Sequence, residues 1–285
     1  MIKPVILWTD ALVFMLLFAV VLFALYARAR PHLRSPWKRI FTSRMASVSA
    51  VFLLTYVVIG VLDSLHFRLP LENRTGAQEA HYAVEVLSVF DVLLGPVRTQ
   101  VEKTYSAPFA THLFTRETIE HPDGSQSRDY PRLEYGGAHL QDPVRDRAAD
   151  IGQRAVIALL QTLLATAVVL TLFGTLLARR HSIPFDRATM DILAGRTGVP
   201  WRLVLATVGV ILLLVFLAIN LATVYHVLGT DKVGQDVFYQ TLKSIRTGLV
   251  IGTLTTLVML PFAILLGIMA GYLRGWADDV IQYTY

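Results

Sequence analysis

The sequence predicts an all-α polytopic membrane protein that carries a small α+β insertion on one side of the bilayer. Three observations predict it. Five stretches, at about 5–27, 46–62, 155–178, 203–225 and 247–273, are nearly free of charge and long enough to cross a bilayer, which takes roughly 20 apolar residues. Charged residues make up only 16% of the 285, and mean hydropathy is +0.52, whereas a soluble domain carries about 25% charged residues. Between the second and third stretches, residues 63–154 are rich in charge, histidine and turn residues and contain no spanning run.

The chain divides accordingly. Residues 1–62 form two helices around a basic loop, 63–154 the insertion, 155–228 a second helix pair, and 229–285 a final unit opening on a structured loop. Charge orients these units. The loop at 28–44 holds Arg28, Arg30, Arg34, Lys38, Arg39 and Arg44 and no acid. The loop at 179–202 holds five arginines against two aspartates. Both belong on the cytoplasmic side, which puts the N-terminus, residues 63–154 and residues 226–246 outside. Each basic loop also contains a Pro-Trp step, Pro36-Trp37 and Pro200-Trp201, as expected of tryptophan at a membrane interface. The first span has only Lys3 before it and its basic cluster after it, so it reads as a retained anchor, not a cleaved signal.

Within the insertion, Ala83, Val86, Leu87, Phe90 and Leu94 recur at helical spacing, with Glu85 and Asp91 opposite. This predicts an amphipathic helix ended by Gly95-Pro96. Residues 111–130 predict two short strands joined at Pro122-Asp123-Gly124.

The loop "GTDKVGQDVFYQ", residues 229–240, carries more turn chemistry than a connector needs. Gly229 and Gly234 supply backbone freedom. Thr230 and Asp231 accept backbone N–H bonds, and Asp236 caps the next helix. That helix, 237–248, is expected to lie in the interface before the chain turns inward. In the last span Gly248 and Gly252 are four apart, as are Gly267, Gly271 and Gly275; this spacing predicts close helix packing. Pro261 lies mid-span and predicts a kink. Among polar residues in spans, Asp10 is expected to anchor at the interface, Gln161 to bond a neighbouring helix, and Asn220 to face a pathway.

Chemistry is excluded more readily than assigned. The chain has no cysteine, so it has no disulfide, thiolate nucleophile or cysteine metal site. It has no phosphate-binding loop, no H-E-x-x-H and no G-x-S-x-G, and so is not itself an enzyme and binds no cofactor. His112, His121, Asp123 and His139 share the insertion without a metal-ligand spacing, and no metal is expected. The net charge of +5 is accounted for by the loop arginines, not by a nucleic-acid surface.

Gly229-Thr230-Asp231, Gly234 and Asp236, followed by Gly271-Tyr272, Gly275-Trp276 and Asp278, resemble the inner-membrane permease subunit, of the C type, of dipeptide, oligopeptide and nickel ABC importers. The stretch "SPWKRIFTSRMASVSAVFLL" resembles that family's N-terminal segment. Gln235 departs from the resemblance, since the family has arginine there. The family's coupling loop, with its Glu-Ala-Ala element, is expected beyond Tyr285; the resemblance thus implies either the opening part of a longer permease, which the break inside a helix favours, or a chain that does not couple to ATP hydrolysis. The resemblance implies a type I importer bundle in the bacterial inner membrane. It implies alternating access and four partners: a second permease, two ATPase subunits that bind the ATP, and an extracytoplasmic solute-binding protein. The competing expectation is a membrane receptor or assembly protein that senses through 63–154 and transports nothing.

Overall fold

The computed structural model describes residues 3–71, 82–120, 126–273 and 275–284. Five helices are long and apolar enough to cross a membrane. The first is α1, Trp8–Ala29, preceded by strand β1, Lys3–Val5. It stops at Arg30, which is extended because the proline that follows disfavours helical backbone at the residue before it. Helix α2, Pro31–Thr42, starts on that proline, whose missing N–H is no loss at a first helical position. An extended Ser43 separates it from α3, Arg44–Ser64.

Strand β2, His66–Arg68, pairs antiparallel with both β1 and β3, Leu87–Ser88. Two single-turn helices follow, α4, Val89–Leu93, and α5, Gly95–Thr99. Strands β4, Glu117–Glu120, and β5, Gln126–Asp129, form a separate antiparallel hairpin; its turn, Pro122–Gly124, lies outside the described residues. Helix α6, Arg147–His181, ends at a left-handed Ser182 just before Pro184. Helix α7, Phe185–Ala194, ends at a left-handed Gly195, and α8, Trp201–Leu221, returns beside α6. The chain closes with α9, Val237–Leu273, and α10, Trp276–Thr284.

Connectivity and pairing gather β1, the described residues between 65 and 146, and residues 222–236 at one end of the bundle, with α2, α7 and α10 at the other. The most extensive helix pair is α6 with α8. Ala158 and Leu205 are buried in the chain, a Cβ on Gly209 would stand 3.5 Å from Thr166, and the Asn220 amide donates to Gln161 Oε1 at 2.7 Å. Gln161 therefore joins two helices, as its sequence position predicts. Asn220 is its partner, and the amide expected to face a pathway is engaged between helices. Helix α9 packs on α3, where a Cβ on Gly60 would meet Leu249 at 2.7 Å. Elsewhere the spans face outward. At most 11% of each apolar span window is buried in the chain, and none of that of α9, so these surfaces must meet lipid or another subunit.

Three expectations are corrected. The amphipathic helix at 83–94 shrinks to α4. Leu87 and Ser88 are taken into the sheet beside β2, and Ser88 then caps α4 by accepting from Asp91 N–H at 3.0 Å. Asp91 is buried, not on a solvent face, and Gly95-Pro96 starts α5 instead of ending a helix. The interfacial helix at 237–248 is not separate either. Helix α9 is continuous for 37 residues, through Gly248 and through Pro261, giving about 55 Å of helix against a hydrocarbon core of about 30 Å. Its first turns stand in the polar layer without leaving the rod. Finally, a Cβ on Gly248, Gly252, Gly267, Gly271 or Gly275 would meet nothing within 4 Å. The glycine that brings α3 close to α9 is Gly60, against Leu249, and among the described residues none of these five glycines is pressed on a neighbouring helix.

Among the described residues the insertion shares a core with the helices: Leu140 packs with Leu221, the last residue of α8, with Tyr225 just beyond it, and with Ile151 of α6. The loop layer is therefore built onto the protruding ends of the helices.

Candidate functional site

The loop at 229–236 is held by its own turn chemistry. Asp231 accepts from the N–H groups of Val233 and Gln235, both at 2.9 Å, and from the Gln240 amide at 2.6 Å. The Gln240 bond leads these contacts in holding its carboxyl below the usual range. Gly229 and Gly234 have φ of +76° and +81°, where a side chain is strained. Each is also pressed on neighbouring backbone. A Cβ on Gly229 would lie 2.3 Å from the Ser106 carbonyl oxygen, and one on Gly234 only 1.7 Å from that of Glu102. Thr230 donates its hydroxyl to the Thr104 carbonyl at 2.7 Å, and Glu102 N–H donates to the Gly234 carbonyl at 2.9 Å. The turn is thus bolted along residues 102–106. Gln235, at the position where the resembled family has arginine, spends its side chain accepting from Gln240 at 3.2 Å.

Beneath the turn lies a fully buried imidazole. His226 Nδ1 is 2.7 Å from Asp236 Oδ2 and its Nε2 is 3.2 Å from Glu102 Oε1. A carboxylate on each nitrogen makes both nitrogens donors, so the ring is an imidazolium. Burial alone would lower its pKa, but bonds to Asp236 and Glu102 outweigh burial and push it up to about 9. Glu102 also accepts from the N–H groups of Glu134, Tyr135 and Gly136 at 2.9, 2.8 and 3.1 Å. Burial would raise its pKa; His226 and then these amides hold it at about 2. Asp236 uses its other oxygen to cap α9, accepting from Tyr239 N–H at 3.1 Å. One side chain thereby ties together the end of α8, the start of α9 and two segments of the insertion.

The same stripe of α9 carries two further clusters. Lys243 Nζ lies 2.7 Å from Asp63 and 2.9 Å from Asp91. Ser88 donates to Asp63 at 2.8 Å and Tyr239 to Asp91 at 2.7 Å. Burial works against the Asp91 charge, but the Ser88 amide, Lys243 and Tyr239 hold its pKa at about 2. One turn further on, Arg246 pairs with Asp10, whose other oxygen meets His66 Nδ1 at 2.9 Å and Leu7 N–H at 2.9 Å. Asp10 is fully buried; the interfacial anchor expected from sequence is an internal ion pair joining α1, β2 and α9. A fourth cluster joins the insertion to α6, with Asp150 2.7 Å from Tyr225 Oη, 2.9 Å from Arg154 and 3.0 Å from His139.

The arrangement is suited to holding, not to reacting. Every buried carboxylate in it is met by a cation or by several N–H and O–H donors. Among the described residues no group of His, Asp and Glu could hold a metal ion. His112 bonds Thr111 and His139 bonds Asp150, so these two histidines serve different neighbours; His121 and Asp123 lie outside the described residues. At the other end, α9 and α10 enclose an apolar recess lined by Met259, Phe262, Leu266 and Val280.

Sequence reasoning located the turn but missed Glu102, His226, Asp63, Lys243 and Arg246 as partners. One signal was present. Asp236, Tyr239, Lys243 and Arg246 recur at three- and four-residue intervals, a polar stripe leading into an apolar helix.

Comparison with known proteins adds a partial likeness. No protein-family model and no solved structure matches the chain. It is 41% identical over 57 residues to the glutathione transport system permease protein GsiD of Pectobacterium atrosepticum, covering 20% of this chain and 19% of that protein. It is 33% identical over 59 residues to the oligopeptide transport system permease proteins OppC of Mycobacterium bovis and Mycobacterium tuberculosis, covering 21% of this chain and 20% of each of those proteins. The matched stretch spans about a fifth of these relatives. The chain is a multi-spanning membrane protein, and a fifth of it is permease-like.

Two outcomes are expected. Replacing Lys243 by Met leaves two almost fully buried carboxylates facing each other, so thermal unfolding of the detergent-solubilised chain should show a loss of about 3 kcal/mol, at the lower end for a broken buried pair because Lys243 keeps some solvent access. Adding Asp63→Asn should restore much of it; an unchanged melting profile for Lys243→Met contradicts the cluster's role. The His226 clamp has a pH signature. Its folded-state pKa of about 9 lies above the unfolded value of about 6.5. The stabilisation is therefore complete below about pH 6.5 and lost as pH rises through about 9. The wild-type melting temperature should fall across that window and that of His226→Gln should change much less; parallel profiles exclude the imidazolium.

Proposed function

We propose that the chain is a permease subunit of a type I ABC importer that moves peptides or peptide-like small solutes across the bacterial inner membrane. The likeness to the glutathione and oligopeptide permeases carries this reading. The bolted turn at 229–236 supports it, because a core helix that starts at a fixed point suits a bundle that changes shape while one end stays registered. The five helices supply the membrane body, with residues 63–154 as a small α+β insertion on the outer face. Alternating access in such a subunit is driven by two partner ATPases acting on this chain and a second permease. Substrate arrives from an extracytoplasmic binding protein, and the loop layer is placed to receive it. The basic loops around α2 and α7 put those helices in the cytoplasm and the N-terminus outside. Gly229, Thr230, Asp231, Gly234 and Asp236 are the structural elbow, and the bare glycines of α9 face the second permease.

Uptake of labelled di- and oligopeptides and of glutathione at limiting concentration should fall in cells lacking the gene. The intact gene should restore it, and Gly234→Ala should not. Unchanged uptake of every solute in such a panel counts against transport and in favour of a receptor. Orientation has its own readout, since the chain has no cysteine. A Thr115→Cys variant should react with a membrane-impermeant maleimide in spheroplasts and a Ser35→Cys variant should not; the reverse pattern inverts the topology.

A further inference from the structure

Helix α2 joins two spans by a short connection and is itself amphipathic. At about 100° per residue, Leu33, Pro36, Trp37, Ile40 and Phe41 fall within one arc, and His32, Ser35, Arg39 and Thr42 fall on the other. By the same spacing positions 34 and 38, both basic in sequence, belong to the polar arc. The apolar arc is only half covered by the chain: Trp37, Ile40 and Phe41 are 43%, 45% and 49% exposed. Helix α7 buries Ala188 and Ile192 in the chain, although its Met190 and Leu193 are exposed; what sets α2 apart from it is charge. Trp37 stands edge-on to Phe23 of α1, with ring centroids 6.3 Å apart, and Phe23 is itself exposed. The apolar side of α2 therefore continues the outward surface of a membrane span.

The charge of this segment is as one-sided as its shape. Residues 28–44 hold six arginines and lysines and no acid. Among the described residues, Arg28, Arg30, Arg39 and Arg44 take part in none of the chain's ion pairs. Two spans fix both ends of the segment at the bilayer surface. A helix with an open apolar face and unpaired cations, held there, is complementary to an anionic leaflet.

We propose that α2 is a binding surface for anionic phospholipid headgroups. Trp37 and Phe41 sit at the boundary between headgroups and acyl chains, and the arginines of the polar arc pair with lipid phosphates. This goes beyond orientation by loop charge, because it assigns a lipid class to a folded face. It does not depend on what the chain transports.

The test uses the full chain with Trp8, Trp201 and Trp276 changed to Phe, leaving Trp37 as the fluorophore, in vesicles of phosphatidylcholine. Brominated phosphatidylglycerol should quench Trp37 more strongly than brominated phosphatidylcholine at the same mole fraction. The preference should collapse in about 1 M salt, where charges are screened beyond roughly 3 Å. It should also drop about fivefold for each charge removed in Arg30→Gln and Arg39→Gln. Equal quenching by the two lipids overturns the proposal. Should the triple Phe variant fail to fold, native mass spectrometry of the wild-type chain released from membranes gives the same decision. Retained anionic lipid that is lost in Arg39→Gln supports the surface, and retained lipid with the composition of the bulk membrane overturns it.

Discussion

A buried imidazolium between two carboxylates is what the rest of the loop layer depends on. Placed in a protein interior, each of these three charges alone would cost several kcal/mol. Together, with Glu102 also drawing on three backbone amides and Asp236 on the first turn of α9, they form a unit whose members are all satisfied. The unit cannot be assembled piecemeal, because His226, Asp236 and Glu102 belong to the end of α8, the start of α9 and the insertion. Forming it fixes the path from α8 to α9 and fastens the insertion over it. The close approach of Gly234 to Glu102 follows, since the turn must come within backbone contact of the segment that supplies the carboxylate.

The clusters at Lys243 and Arg246 extend the same logic down α9. They join it to α3, α4 and α1 through charges that neither partner could bury alone. The ion pairs of α9 are made with Asp63 at the end of α3, Asp91 of α4 and Asp10 of α1. The first helix and the insertion are therefore wired into the helix that opens the last unit and are not peripheral to it. The electrostatics also explain why a rod of 37 residues can start outside the hydrocarbon: its first three turns carry the groups that need partners other than lipid.

What was legible in the sequence was local. Hydropathy over 20 residues marks a span whatever it packs against, and the turn at 229–236 was readable because Gly229, Asp231, Gly234 and Asp236 lie within one stretch of eight residues. Asp236 as a cap needs only the helix it starts. The partners that give these residues their setting were not legible, because they lie far along the chain. His226 meets Glu102 across 124 residues, Lys243 meets Asp63 across 180 and Arg246 meets Asp10 across 236. Asp10 read as an anchor because it lies near the outer end of the first span, within reach of the interface, and its partner Arg246 is out of local view. The helix expected at 83–94 failed for the same reason. Its apolar spacing was real, but Leu87 and Ser88 had a better use in pairing with β2, and the sheet decided where α4 could begin. The glycines of α9 carry a spacing that predicts a neighbour, and among the described residues nothing stands within 4 Å of where their side chains would be.

Because α9 is held at Asp236, Lys243 and Arg246, and against Gly60 at Leu249, its free arm begins beyond Leu249. From there to Pro261 is 12 residues, or about 18 Å of helix. A bend of about 10° below the last of these contacts moves Pro261 sideways by about 3 Å, comparable to the width of a methyl group's contact shell. The three polar clusters therefore act as a splint: they keep the first turns of the rod in register with α1 and α3 and leave movement to the apolar half.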